Sequence, residues 1–173
     1  PEVLKNDHDF LIKVHTKKSS HRQDGNLWRR DLFTQLIDER SIVESIKHLK
    51  DHPQIGVLGP NGHIVPMYYY CGSNALQLKG FSKRLGIDTL QLGTLKFVAG
   101  SMFIARLKTL LPLLNLSLPE DSFETENGQV DGTLGHTVER IFAVSAVAAG
   151  SSVDSRANST EPDYPYAKRI QRF

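Results

Sequence analysis

Apolar positions along the chain alternate between two spacings. Residues 10–14, Phe-Leu-Ile-Lys-Val, form a short apolar, β-branched run that predicts a buried strand. Trp28, Leu32 and Leu36 recur at helical spacing, so residues 27–37 read as an amphipathic helix behind an Asp24-Gly25-Asn26 turn. Ser41-Ile42-Val43-Glu44 has the form of a capping box. The helix it opens carries Ile42, Val43, Ile46 and Leu49 and stops before Pro53. Residues 55–58 read as a second buried strand, closed by a Gly59-Pro60-Asn61-Gly62 turn, and residues 64–70 as a further extended piece. A helix over 73–85 ends at Gly86. Residues 96–105 read as a strand interrupted by Gly100, 107–114 as a short helix, 119–129 as a polar loop and 130–148 as the last helix. Strands alternating with helices predict an α/β fold. From Ser151 to Pro165 the chain is rich in Ser, Asp, Asn, Thr and Pro, which predicts a flexible tail. The expected organisation is one domain over 1–149 and a polar tail or linker over 150–173.

Composition narrows the class. The 173 residues are 39% apolar and 23% charged, which suits one globular domain with a core. A formal net charge of +2 gives no reason to expect a nucleic-acid partner. Cys71 is the single cysteine, so no internal disulfide forms. No apolar run approaches the roughly 20 residues a membrane helix needs. The opening is polar and charged, unlike a secretory leader, and enters a strand almost at once. The expectation is a piece of a longer protein.

Three clusters lie where an α/β sheet normally presents its ligand, at strand ends. The first is His15-Thr16-Lys17-Lys18-Ser19 with His21 and Arg22. Ammonium and guanidinium groups there suit a diphosphate, with Thr16 and Ser19 as hydroxyl donors. The plain alternative is a solvated basic loop, and the Gly-x-x-x-x-Gly-Lys frame of a P-loop is missing. The second is Phe97-Val98-Ala99-Gly100-Ser101-Met102-Phe103, in which a glycine inside a strand marks a bulge or a close backbone approach, or simply packing. The third spans residues 123–132 and continues to His136, Glu139 and Arg140. Its carboxylates suit either a general base or the N-terminal charge of a helix. His48 and His52 form an i, i+4 pair, but no third ligand stands at a recognised metal spacing.

In their order, Lys13-Val14-His15-Thr16-Lys17-Lys18-Ser19, Trp28-Arg29-Arg30-Asp31-Leu32, Ile55-Gly56-Val57-Leu58-Gly59-Pro60 with His63, the Phe97–Phe103 segment, Gly128-Gln129-Val130-Asp131-Gly132-Thr133-Leu134, and His136 with Glu139-Arg140 resemble the rhamnan synthesis protein F family. The resemblance covers residues 9–149. It implies a GT-A-like, nucleotide-diphospho-sugar transferase fold, three-layered around a short mixed sheet, of which this chain is the C-terminal half. The implied activity is transfer of a deoxyhexose, L-rhamnose from dTDP-rhamnose, to a growing surface polysaccharide or lipopolysaccharide. By that resemblance, Asp131 and Glu126 stand near the catalytic base. His15, Thr16, Lys17, Lys18, Ser19 and Arg22 would hold the diphosphate, and Gly100, Ser101, His136 and Arg140 the acceptor side. The strand ends in His15-Thr16-Lys17 where GT-A enzymes place a metal-binding Asp-x-Asp. No residue is therefore assigned to a metal, and Mg²⁺ or Mn²⁺ would arrive only with the sugar nucleotide. The implied partners are a sugar nucleotide, a glycan acceptor and an upstream half of the same protein. The implied place is the cytoplasm, with peripheral association at the inner face of the membrane.

Two other readings stand beside this one. A degenerate transferase domain would hold glycan or nucleotide without chemistry. A phosphate-handling hydrolase would use the histidines and a metal.

Overall fold

The computed structural model describes residues 8–16, 24–125, 127–129 and 131–157. Its centre is a four-stranded mixed sheet in the order β1 (Phe10–Lys13), β5 (Phe103–Arg106), β2 (Ile55–Leu58), β6 (Ser152–Asp154). β5 runs antiparallel to both β1 and β2, and β2 pairs with β6 in parallel. A separate hairpin joins β3 (Ile64–Pro66) to β4 (Lys96–Val98). The class is α/β with a mixed sheet, as the alternation of spacings predicts.

Helices cover both faces because the strands alternate. Ile104 and Leu58 join Trp28, Leu32 and Leu36 of α1 (Gly25–Ile37) and Leu49 of α2 (Glu39–Asp51) in one apolar cluster. Phe103, Ala105 and Val57 meet Phe142 and Ala146 of α6 (Leu134–Ala148) in another. Ile55 and Val57 would share a face in a regular strand. The pairing register shifts between them, and they serve opposite clusters. A third cluster lies beneath α3 (Met67–Tyr70), α4 (Ala75–Arg84) and α5 (Thr89–Thr94), with Met67, Leu78, Leu92 and Phe97 against Ile141 and Val144 of α6. Cys71 is buried there as a free thiol.

Several local expectations are corrected. The cap of α2 is Asp38, which accepts the Ser41 amide at 3.4 Å, so the helix begins ahead of the Ser41 box. A carboxylate at that position also complements the helix dipole. Val43 points to solvent at 64% exposure, while Ser45 faces inward. The extended piece stops at Pro66 and turns into α3. Residues 96–105 form two strands belonging to different sheets, with Gly100 and Ser101 in the turn between them. Leu107–Leu116 is a 3-10 helix. The last helix begins at Leu134, where Thr133 caps it and the Glu124 carboxylate accepts the Leu134 amide at 2.9 Å. The polar stretch read as a tail begins inside the sheet: Ser152–Asp154 is β6. Backbone bonds from Ser152 N to Gln54 O (2.8 Å) and Gly59 N to Asp154 O (2.9 Å) fix it there.

Two glycines of opposite surroundings test this packing. A Cβ on Gly56 would lie 2.6 Å from Ser151 Cβ and 2.7 Å from Thr109 Cγ2, whereas one on Gly80, inside α4, would meet nothing within 4 Å. Gly56→Ala is expected to destabilise by about 1–3 kcal/mol through overpacking. Gly80→Ala should stabilise by up to about 1 kcal/mol, the helix-propensity gain. Urea unfolding of the two variants checks both signs.

Candidate functional site

The site is built on a two-residue turn. Gly100 (φ 87°) and Ser101 (φ 56°) both take left-handed backbone conformations, and for serine this costs about 1–3 kcal/mol. Glycine is required at 100 for a second reason. A Cβ there would stand 2.6 Å from Cζ2 of Trp28, which seals the turn from the α1 side.

Three bonds hold the turn. From β1, Lys13 Nζ donates to Ser101 O at 2.9 Å. His15 Nε2 donates to Gly100 O at 2.8 Å, and because a carbonyl only accepts, that nitrogen carries the proton. From α6, the Glu139 carboxylate accepts the Gly100 amide. Lys13 and His15 are two residues apart, so both point to the same side of β1. The Lys13 ammonium also lies 5.4 Å from the centre of the Phe142 ring and 6.0 Å from that of Phe103.

This enclosure shifts both charged groups. Burial holds the Lys13 ammonium below its ordinary pKa, and the Glu139 carboxylate pulls it partly back. Burial pushes the Glu139 carboxyl above its ordinary value, and the charges of Arg140 and Lys13 and the Gly100 amide oppose that rise.

Arg140 anchors the opposite side. Its guanidinium donates to Tyr70 O at 2.8 Å through Nη2 and to His136 O at 2.6 Å through Nη1. It lies 5.0 Å from the Phe97 ring centre. Glu139 Oε1 is 3.6 Å from Nη1, and Asp131 Oδ1 is 4.0 Å from Nη2. Asp131 Oδ2 accepts the Ser73 amide at 2.6 Å. The fit is so close that a Cβ on Gly72 would sit 2.0 Å from that oxygen. Asn74 continues the seam, taking the Gly132 amide at 3.2 Å and donating to Thr137 Oγ1 at 2.7 Å. His136 Nδ1 lies 2.6 Å from Thr133 Oγ1.

Behind Trp28 stands a second polar pair. His63, fully buried, meets Asp31 Oδ2 at 2.9 Å through Nε2, and its ring approaches Trp28 edge-on at 6.2 Å between centroids. Gln35 donates to both Asp31 oxygens at 3.1 Å and accepts the Asn61 amide at 2.7 Å, strapping the 59–63 turn to α1.

Of the sequence-expected site residues, the structure gathers His15, Gly100, Ser101, Arg140 and Asp131 around the start of α6. His136 faces the cap of that helix, and Thr16 is exposed just beyond β1. Lys17, Lys18, Ser19, Arg22 and Glu126 lie outside the described residues. Lys13 carries no assigned role in the sequence reading, although it stands in a motif quoted, and Glu139 stands in the third cluster, where Asp131 and Glu126 are preferred as the base. A lone lysine in an apolar strand and a Glu-Arg pair on a largely apolar helix are the signals that mark them. His48 and His52 stack at 4.2 Å between ring centroids. Among the described residues, no three His, Cys, Asp or Glu side chains gather as a metal-binding group. No described helix is long and apolar enough to cross a membrane.

The arrangement is an α/β scaffold with paired charges gathered where a strand end, a turn and a helix start meet. Residues 2–150 match the family model of rhamnan synthesis protein F, and the chain belongs to that family. It is 36% identical over 168 residues to proteins named uncharacterized protein WxcX in two strains of Xanthomonas campestris pv. campestris, a match covering 92% of this chain and 24% of each relative. The chain therefore spans about a quarter of the length of the curated relatives it matches. No solved structure matches it. Membership connects the chain to rhamnan and polysaccharide synthesis.

Arg140→Met is expected to cost about 3–5 kcal/mol in urea unfolding, because it leaves two carbonyls and two carboxylates without their cation. A separate pH signature belongs to Glu139. A carboxyl whose folded pKa is raised contributes stability below its unfolded value, 4.5, and loses it as pH rises through the folded value. Glu139→Gln should therefore gain on the wild type as pH climbs from about 4.5, levelling off above the folded pKa. Thermal melts of both proteins across that range check the direction.

Proposed function

We propose that the chain is the C-terminal part of a GT-A-like glycosyltransferase domain that transfers L-rhamnose from dTDP-rhamnose to a growing bacterial surface polysaccharide. Family membership supports the polysaccharide chemistry. The observation that carries the site is the convergence of the β1 end, the Gly100-Ser101 turn and the start of α6. Transfer needs cations near a departing diphosphate and a carboxylate near the attacking hydroxyl, and these elements supply both kinds of group.

In this reading the acceptor oxygen attacks the anomeric carbon as its bond to the diphosphate breaks, and the bonding pair leaves with dTDP. His15, Thr16, Lys17, Lys18, Ser19 and Arg22 bind the leaving diphosphate. Gly100, Ser101, His136 and Arg140 shape the acceptor side, and a carboxylate in or just before α6 takes the hydroxyl proton. An upstream half of the full-length protein supplies the base and ribose contacts, at the cytoplasmic face of the membrane.

The test is dTDP release by the full-length protein given dTDP-rhamnose and acceptor glycan. Lys17→Ala and Asp131→Asn should each lower turnover by about 10²–10³-fold. Unchanged turnover in both variants removes this set of residues. A binding module without chemistry is the second reading, favoured by His15-Thr16-Lys17 at the strand end in place of Asp-x-Asp. Calorimetric binding of dTDP-rhamnose by a full-length protein that never releases dTDP would select it.

A further inference from the structure

Glu139 is a half-buried carboxylate of the third sequence cluster, passed over there in favour of Asp131 and Glu126. α6 turns Leu134, Ile141, Ala143, Val144 and Ala146 inward, with Thr137, Arg140 and Ser145 as its buried polar residues, so an acid on that helix needs polar partners of its own. A buried ionised group is costly unless it is paired, and an apolar residue of similar size would generally serve packing better. The carboxylate is nonetheless held in place by the Gly100 amide and by Arg140 Nη1 at 3.6 Å. Its side chain keeps 21% of its surface open to solvent, so it remains reachable. Asp131 differs in kind. One of its oxygens receives the Ser73 amide at 2.6 Å, and the carboxylate is packed tightly against Gly72. That geometry commits Asp131 to fixing the 72–74 turn against the entrance of α6.

The geometry points to Glu139, rather than Asp131 or Glu126, as the group that removes the acceptor hydroxyl's proton, with Arg140, whose Nη1 lies 3.6 Å away, as the cation that sets its charge. The assignment rests on the glycosyl-transfer reading above. The acceptor O–H bond breaks toward Glu139 as the acceptor oxygen bonds to the anomeric carbon. The sugar–diphosphate bond breaks with its electron pair going to dTDP, and Glu139 then returns the proton to solvent through its open edge. The ionisable groups around Glu139 are Lys13 from β1, Arg140 from α6 and Asp131 from the segment before α6, with His15 across the Gly100 turn. Burial raises its proton affinity toward that of a working base, while Lys13 and Arg140 keep the ionised form accessible.

The experiment uses the full-length protein with dTDP-rhamnose and acceptor glycan, following dTDP release against pH for wild type, Glu139→Gln and Asp131→Asn. Glu139→Gln should lower kcat by about 10²–10⁴-fold, leave KM for the donor near wild type and erase the acidic limb of the profile. Asp131→Asn should keep that limb. A Glu139→Gln enzyme with wild-type kcat and an intact acidic limb overturns the assignment while leaving the transfer reading standing. A wild-type protein that releases no dTDP sinks that reading and this assignment with it. Should Glu139→Gln fail to fold, carboxyl NMR titration of the wild-type chain decides. The Glu139 carboxyl should titrate above the ordinary glutamate value, moving the Gly100 amide with it. An ordinary titration that leaves Gly100 unmoved overturns the assignment.

Discussion

Two residues with left-handed backbone, Gly100 and Ser101, hold three parts of the molecule at one point. Their carbonyls take the polar ends of β1, through His15 and Lys13, and the Gly100 amide is taken by Glu139 of α6. Trp28 of α1 closes over the space a side chain at 100 would fill. The backbone strain at Ser101, about 1–3 kcal/mol, is comparable with one charge-assisted hydrogen bond at about 1.5–3 kcal/mol. Lys13 and Glu139 each bring such a bond, so the turn persists because charged groups on two different elements require it. Removing either would release strain as well as a contact.

The same economy explains how buried charges are tolerated here. Lys13 and Glu139 approach from opposite elements, and Arg140 lies between Glu139 and Asp131. Each charge has a counter-charge, and the remaining donors of Arg140 go to backbone carbonyls of Tyr70 and His136. Carboxylates left over in the segment before α6 have mechanical work: Asp131 caps the 72–74 turn, and Glu124 caps α6 itself. Acidic residues close together in sequence therefore divide into those that hold backbone and those that stay available, a division made by which amide each one meets.

Much of the fold was legible from spacing. Trp28, Leu32 and Leu36 read as one helical face, and all three are buried on the α1 side of the sheet. The strands at Phe10 and Ile55 were equally plain as strands, but only the second is buried: β1 lies at the sheet edge, with Ile12 38% exposed. The segment around Gly100 was harder. A single continuous strand and two strands in different sheets share the same local pattern, and only the positive φ at two successive residues separates them. β6 was hidden for another reason. Ser152-Val153-Asp154 has one apolar residue and reads as polar linker, yet its backbone completes the sheet beside β2, where pairing matters more than side-chain burial. Within the site, His15, Gly100 and Arg140 announced themselves by residue type. Lys13 did not, because it is a single charge in an otherwise apolar strand, and Glu139, beside Arg140, was passed over for the acids that precede α6.

That last failure has a physical logic. Sequence periodicity finds the residues that make a fold favourable, while a functional group is often one the fold must accommodate. Lys13 occupies a strand position where valine or isoleucine would pack at no electrostatic cost, and Glu139 a helix position suited to leucine. Glu139 is tolerated because Arg140 and Lys13 are present, and both Lys13 and Glu139 because the turn supplies one carbonyl and one amide. The dispersed motifs of the chain belong to the same arrangement. Asp31 and His63 brace Trp28, Trp28 enforces glycine at 100, and the turn at 100–101 orients the two charges. Residues far apart in sequence thus form one mechanical chain running from the α1 surface to the Lys13–Glu139 pair. A substitution anywhere along it should be felt at that pair before it is felt in the rest of the core.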